Sequence, residues 1–311
     1  MVSLIVVDYR TIRKTCEFLA HAAEQLVPRE EIHFWIVDND PERSGQAYLA
    51  KRYPRVWQAE APAAADFFAA EFGEVGCIAP GENLGYARGN NLGTRAADAV
   101  FGDDYYLICN NDLRFPEKWD LREVTGKLEK ESSAAALGPR ILGLDGKEQN
   151  PYRKKSPAYW LFVYPWSRFW PVHSRGDYCP LREAGECYRL MGCCLLLRAD
   201  RFRECGRFDE HTFLFSEEMI LSERMAGRGY TCRYEPAFTV IHEHGQTMKS
   251  AARAVEVERW AFDSLFYYCR AYRGVSAPVM GLAWVNRILN MGVIALKAGL
   301  RGLIRRIRRN R

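Results

Sequence analysis

The sequence predicts an α/β protein built on a mainly parallel central sheet with helices on both faces. Three observations carry that prediction. The first part of the chain alternates short aliphatic runs with stretches whose apolar residues recur at helical spacing. The run Tyr105–Cys109 is uninterrupted, as a strand buried on both faces is. Polar residues stand where the runs end, at Asp8-Tyr9-Arg10, Asp38-Asn39-Asp40, Asn83 with Gly85, and Asn110-Asn111-Asp112. In open α/β sheets, ligands sit just outside the carboxyl ends of the strands.

Taken in order, Ser3–Val7 is the first strand, and Ile12, Cys16, Leu19, Ala23 and Leu26 give the following stretch, 11–26, a helical period. Ile32–Val37 is the second strand, followed by a short helix to about Tyr53. The alanine-rich stretch 59–70 has no assigned element. Val75–Ala79 is the third strand, 86–100 a helix, and Tyr105–Cys109 the fourth strand. Further on, 134–141 and 190–197 read as strands, 216–228 as a helix closed by Gly227 and Gly229, and 230–234 and 238–241 as two short strands. Residues 250–272 form a helix, and a basic tail follows.

Hydrophobic residues make up 48% of the 311 positions, ample for a packed core. The ten cysteines are scattered without a C-x-x-C, so they read as reduced thiols and not as a zinc or disulfide framework. The start of the chain is apolar but lacks a basic n-region and runs into Asp8, so it reads as a strand and the expected location is cytoplasmic. The net charge of +5 is uneven: residues 286–311 hold eight basic residues and no acids, leaving the rest at −3. The acidic body, with no base-reading motif, argues against nucleic acid as a partner.

Several classes are excluded by what the strand ends lack. No G-x-G-x-x-G follows the first strand, which disfavours a dinucleotide site, and no G-x-x-x-x-G-K-[ST] occurs. Without a glycine-rich first loop, a nucleotidyltransferase also loses the backbone amides that would hold a triphosphate. A lone carboxylate among neutral oxygen donors, as in Asn110-Asn111-Asp112, suits Mg²⁺ or Mn²⁺ shared with phosphate oxygens. Asp209, Glu210, Glu217 and Glu218 place four acids close together, the last two at a helix start. Neighbours on a helix point about 100° apart, so one of Glu217 and Glu218 at most faces a substrate. His242 closes the set at a strand end, as a structural residue or a ligand beside a diphosphate.

The order of these motifs resembles glycosyltransferase family 2, with its GT-A fold, over roughly residues 3–245. Asp8-Tyr9-Arg10 is similar to the family's T-Y-N, Val37-Asp38-Asn39 to its V-D-N, and Asn83-Leu84-Gly85-Tyr86-Ala87-Arg88-Gly89-Asn90-Asn91 to its N-x-G-[FY]-a-x-G-x-N. Asn110-Asn111-Asp112 stands where the family keeps its D-x-D-like metal motif. Gly192–Arg198 resembles a small-residue strand near the acceptor. Phe208-Asp209-Glu210 and Phe215-Ser216-Glu217-Glu218 resemble F-D-E and F-x-Y-x-E-D-x-D-L, and residues 242–246 resemble H-x-x-G-Q. Within the family the arrangement is most similar to bacterial rhamnosyltransferase-type enzymes of surface polysaccharide assembly.

The resemblance implies an inverting transferase that moves a sugar from a nucleoside-diphosphate sugar to a hydroxyl of a glycan or lipid-linked glycan acceptor. It implies nucleotide-sugar contacts from Tyr9, Asp38, Asn83, Gly85, Arg88 and Asn111, a divalent cation (Mg²⁺ or Mn²⁺) on Asp112 and His242, and Glu218 as base with Glu217 as runner-up. Three departures stand out: Ile220 replaces the second Asp of E-D-x-D-L, Glu218 replaces Asp, and Asp8-Tyr9-Arg10 replaces T-Y-N. The loss at Ile220 motivates the alternative of a catalytically silent nucleotide-sugar-binding or scaffold protein.

The expected organisation is a GT-A domain over 1–248 and a helical extension with a basic amphipathic tail over 249–311. Within the domain, 1–112 is the nucleotide-binding half, and 113–248 is the acceptor half with an aromatic insertion at about 150–182. The insertion's rings either close a subdomain core or touch sugar or bilayer. In the tail, Asn286, Asn290, Lys297, Arg301 and Arg305 recur on one helical face and Val285, Ile288, Leu289, Ile294, Leu296, Leu300, Leu303 and Ile304 on the other. Arg287 near the middle makes a transmembrane span costly. The expectation is an in-plane helix on an anionic inner leaflet, against the rival of a helix docked on the domain or on a second subunit.

Overall fold

The computed structural model describes residues 1–62, 64–167, 181–243 and 251–309, the side chains of 251–254 and 298–309 excepted. These fall into two compact units, one of Met1–Arg153, Tyr178–Phe213 and Glu217–His244, the other of Lys154–Asp177, Leu214–Ser216 and Gly245–Arg311. Of the expectations above, those for 168–180 of the aromatic insertion, for 244–246 and for the side chains from Leu300 onward lie outside the described residues.

In the first unit the aliphatic runs become strands and the periodic stretches become helices. The order is β1 (Val2–Asp8), α1 (Ile12–Gln25), β2 (Leu26–Val27), β3 (Ile32–Asp38), α2 (Ser44–Arg52), β4 (Arg55–Ala59), β5 (Ala65–Ala70), β6 (Gly73–Ile78), α3 (Gly85–Val100) and β7 (Tyr105–Cys109). There follow β8 (Leu113–Arg114), β9 (Trp119–Asp120), α4 (Leu121–Glu129) and β10 (Ala134–Gly143). The second unit supplies α5 (Tyr164–Ser167), and the first unit resumes with β11 (Gly185–Cys187), β12 (Cys194–Arg198), α6 (Ala199–Glu204), α7 (Glu217–Ala226) and β13 (Thr231–His242). Eleven strands form one sheet in the order β11-β13-β10-β12-β7-β1-β3-β6-β5-β4, with β8 pairing β13. The four central strands, β7, β1, β3 and β6, are mutually parallel, and antiparallel pairs flank them.

Every residue of β7 is buried, which explains its unbroken apolar run. Its side chains alternate between two cores. Tyr105, Leu107 and Cys109 join α1, α2 and α4 on one face, while Tyr106 and Ile108 join α3, α6 and α7 on the other. Helix α3 sits close because glycines line its sheet-facing side. A Cβ at Gly93 would stand 2.6 Å from Ile5 Cγ2, and one at Gly89 3.1 Å from Val7.

Three elements differ from the sequence expectation. The alanine-rich stretch forms β5 and follows β4, the two pairing antiparallel. Alanine has little strand preference, so pairing and the buried Phe67 and Phe68 decide the outcome. The two short strands near the end are one strand, β13. Against β10, Pro139 pairs with Glu235 and Arg140 with Thr239, so Pro236-Ala237-Phe238 bulges from the ladder where the proline has no N–H to give. The strand expected over 190–197 begins only at Cys194.

The second unit contains a π-helical turn (Tyr159–Val163), α5, α8 (Ala251–Ala271) and α9 (Ala277–Arg309). The helix expected in the tail is present, and its apolar face is exposed as expected. Asn290 is fully buried and Asn286 bonds to the 159–167 turn, while Leu282, Val285, Leu289 and Leu296 are exposed.

Candidate active site

The carboxyl ends of the central strands are tied together by buried polar groups. Asp8, in register with Asp38, is fully buried. Its carboxylate accepts from Thr11 N (3.2 Å), Thr11 Oγ1 (2.7 Å) and Thr15 Oγ1 (2.6 Å), which orients the start of α1. Asn111 Nδ2 donates to both threonine hydroxyls at 2.8 Å. The amide of Asn111 therefore holds the end of β7 on α1.

One strand over, Asp38 is also fully buried. It accepts from Gln46 N (2.8 Å) at the start of α2 and from Asp40 N (3.2 Å). Burial pushes its carboxyl above the usual range, against the pull of those two N–H groups. Gly45 makes this fit possible, because a Cβ there would lie 2.8 Å from Asp38 Cγ. Asn39 Nδ2 donates to the Gly85 carbonyl at 3.0 Å, and Asn83 Oδ1 accepts from Gly85 N at 3.0 Å. Gly85 has φ +73°, and a Cβ would stand 2.2 Å from the Phe213 carbonyl oxygen, so only glycine fits. Tyr9 and Arg88 are half-buried, the latter 3.6 Å from Glu82.

The pairing of β8 with β13 sets His242 opposite Leu113, and Glu243 N donates to the Asp112 carbonyl at 2.8 Å. That pairing brings His242 Nε2 to 3.3 Å from Asp112 Oδ1. His242 is 2% exposed, and its Nδ1 lies 2.9 Å from Gln149 Oε1. With Nδ1 donating to that oxygen, a neutral ring turns the Nε2 lone pair toward the carboxylate. Two acceptors that close repel unless a cation or a proton lies between them. Of the two donors, the carboxylate suits Mg²⁺ or Mn²⁺, which complete their shells with water and phosphate oxygens. Among the described residues, no group of three or more His, Cys, Asp or Glu could hold a metal. Gln149 escaped the sequence reading. The Asp145-Gly146 turn, the signal for a chain reversal that folds it back along β10, was there to find it.

Glu218 approaches the same rim across β12. Cys194 faces Cys109, and Asn110 N donates to the Cys193 carbonyl at 2.9 Å, so Gly192 flanks the Asn110–Asp112 turn. Gly192 N donates to Glu218 Oε1 at 3.0 Å, and Tyr86 OH donates to the Gly192 carbonyl at 2.6 Å. Desolvation, then the Glu218 and Glu217 carboxylates, push the Tyr86 phenol well above its ordinary range. Glu217 is 2% exposed, and Ile220 is fully buried. Asn91 grips the Phe208 backbone on both sides, accepting from its N–H at 3.1 Å and donating to its carbonyl at 2.9 Å.

Fold and rim together define the class: this chain has the fold of the GT-A glycosyltransferases. It superposes on GalNAc-T7, solved with UDP, GalNAc and Mn²⁺, with a TM-score of 0.55 at 12% identity, covering 92% of this chain and 54% of that one. A mannosyltransferase from Pyrobaculum calidifontis, solved with GDP-Man and Mn²⁺, gives 0.51 at 16% identity, covering 96% and 75%. In sequence the chain is distantly related to the N-acetylglucosaminyl-diphospho-decaprenol L-rhamnosyltransferase of Mycobacterium tuberculosis, at 29% identity over 54% of this chain. The match covers 58% of that relative's length. The sequence matches no established family model.

Proposed function

We propose that the chain is an inverting glycosyltransferase that moves a sugar from a nucleoside-diphosphate donor to a hydroxyl of a glycan or lipid-linked glycan acceptor. The observation that carries this is the meeting of Asp112–His242 and Glu218 at one strand-end rim, joined through Gly192-Cys193. The distant L-rhamnosyltransferase relative supports rhamnose as the sugar and a diphospho-polyprenol glycan as the acceptor.

In this reading Glu218 is the base. Gly192 N–H holds Oε1, which leaves Oε2 to take the proton of the acceptor hydroxyl. The acceptor oxygen bonds to the anomeric carbon as the bond from that carbon to the diphosphate oxygen breaks. The nucleoside diphosphate leaves with the electron pair. One displacement inverts the anomeric centre. Asp112 and His242 would hold Mg²⁺ or Mn²⁺, which supplies positive charge for the diphosphate when bound. Tyr9 and Arg88 at the rim, with Asp38, Asn83, Gly85 and Asn111 behind them, form the donor side. The membrane's inner face is the proposed location, with the C-terminal helix on it.

The test is donor turnover with a panel of nucleoside-diphosphate sugars and Mn²⁺, measured on wild type and Glu218→Gln. Turnover that falls by at least a hundredfold in the variant, with donor binding retained, supports the reading (a base contributes about 10²–10⁴-fold). Turnover close to wild type would remove Glu218 from the role. Donor binding without turnover by wild type would favour the silent scaffold that Ile220 motivates.

A further inference from the structure

Helix α9 is amphipathic in the reverse sense from a helix on a water-soluble domain. Such helices turn apolar residues inward. Here the inward stripe is Ala283, Asn286, Arg287 and Asn290, and the outward stripe includes Leu282 (66% exposed), Val285, Ile288, Leu289 and Leu296.

The inward polar groups have specific uses. Pro165 has no N–H to give to the Leu161 carbonyl one turn back. Asn286 Nδ2 donates to that carbonyl at 2.8 Å in its place, and Asn286 Oδ1 accepts from Trp166 Nε1 at 2.8 Å. Asn290 Nδ2 donates to the Pro165 carbonyl at 2.8 Å. Arg287 pairs with Asp263 of α8 at 2.6 Å and lies over the rings of Phe262 and Phe266. The cost that Arg287 brings to an apolar environment is thus met within the unit. Partner side chains satisfy a proline-interrupted backbone in the same way where water is absent.

We infer that the outward face of α9 is a seat on an anionic lipid bilayer, with the helix lying in the plane of the interface. Charge complementarity selects this occupant. Residues 286–311 carry eight basic residues and no acid, so the helix that bears the apolar stripe also draws a negatively charged surface. Although 277–297 is long and apolar enough to cross a membrane, α8, against which α9 packs, carries Glu256, Glu258, Arg259 and Asp263. A helix covered by that surface lies at the interface. A groove of ≈ 450 Å³ beside this stripe is lined by Arg259, Asp263, Trp284, Arg287, Ile288 and Met291. Two arginines share one aspartate there, and Trp284 is at the edge, as tryptophans are at lipid–water boundaries.

This deepens the proposed membrane location and is independent of glycosyl transfer. The full-length protein is floated with vesicles of phosphatidylcholine, with and without phosphatidylglycerol. The wild type is expected to bind the anionic vesicles at least about tenfold better than the neutral ones. The double variant Val285→Asp/Leu289→Asp, at two exposed positions, is expected to lose at least about tenfold in binding with its thermal unfolding unchanged. Its turnover of a soluble donor is expected to stay at the wild-type level, so a failure of the transferase reading leaves the vesicle result standing. Wild type that fails to float with anionic vesicles, or a double variant that floats as well as wild type, overturns the inference. So does a wild-type dimer that the double variant dissociates without changing vesicle binding, because a second copy would then be the occupant.

Discussion

Glycine at 192 is required by the side chain it faces. A Cβ there would stand 2.5 Å from Glu218 Oε1 and 3.0 Å from Tyr86 OH. The backbone angles are ordinary, so Gly192→Ala is tolerated by the chain itself and the conflict falls on Glu218. The carboxylate has to swing away and lose the Gly192 N–H, now 3.0 Å distant. A hydrogen bond to a charged group is worth about 1.5–3 kcal/mol, and each 1.4 kcal/mol in a barrier is about tenfold. Loss of turnover by about ten- to a hundredfold follows, with donor KM and Mn²⁺ affinity close to wild type. Steady-state kinetics with a soluble acceptor and isothermal titration of Mn²⁺ read the two effects separately. Adding Glu218→Asp shortens the side chain by one methylene and removes the collision. The double variant should therefore turn over faster than Gly192→Ala alone. If Gly192→Ala keeps the wild-type kcat, or if the second change slows it further, the Gly192 N–H does not set the working position of Glu218.

The other predictions concern the Asp112–His242 pair, the strand ends and the departure at Ile220. Gln149→Leu leaves His242 Nδ1 without its oxygen partner and should weaken Mn²⁺ binding by about 10–100-fold; a titration equal to wild type would refute a role for Gln149 in orienting the ring. Gly85→Ala meets both the positive φ and the Phe213 carbonyl, and should cost about 2–4 kcal/mol in denaturant unfolding. Asp38 has a raised carboxyl pKa in the fold, so its contribution to stability is full below the ordinary value of about 3.9 and is lost as pH rises through the folded value. Melting curves between about pH 4 and pH 7 should show wild type losing ground to Asp38→Asn as pH rises, and the opposite slope would refute the burial argument. Ile220→Asp puts a carboxylate at a fully buried position and should destabilise by about 3 kcal/mol or more without raising turnover. A stable and faster variant would make Ile220 a lost catalytic position.

The central sheet was legible because β1, β3, β6 and β7 are mostly buried and rich in apolar residues, β7 without a break. The flanking strands were not. β5 is alanine-rich and becomes a strand only by pairing β6, while the Pro236 bulge splits the apolar pattern of β13 into two short pieces. At the rim, Asp112, His242 and Glu218 stood out as candidates by their order along the chain, and in the fold Asp112 lies beside His242 while Glu218 accepts from Gly192 N. Their orienting partners were silent. Gln149 and the Tyr86 hydroxyl act through contacts between residues about 93 and 106 positions apart, which no local pattern records. In α9 the helical period and the exposed apolar face were legible, and the partners of its polar face were not. The sequence gives the angle between the polar and apolar faces, but the carbonyls of Leu161 and Pro165 decide that the asparagines turn inward.

The strand-end motifs divide by what their side chains touch. Asn111, Asn83 and Asn91 spend their amides on Thr11 and Thr15, on Gly85, and on Phe208, and Gly85, Gly89 and Gly93 are small because α3 lies against β1 and the Phe213 carbonyl. Most of the N-x-G-Y-x-x-G-x-N signature is thus architecture. It fixes the height of the α3 start over the sheet and, through Tyr86 and Gly192, the reach of Glu218. Substitutions there will lower activity whether or not a donor touches those residues, so they carry little information about its contacts. Asp112, His242 and Glu218 are different, since each is held in place by neighbours that survive its replacement: Glu243 N on the Asp112 carbonyl, Gln149 beside His242, and Gly192 beside Glu218. Conservative changes at these three, with the fold verified, are therefore the ones that distinguish chemistry from scaffold.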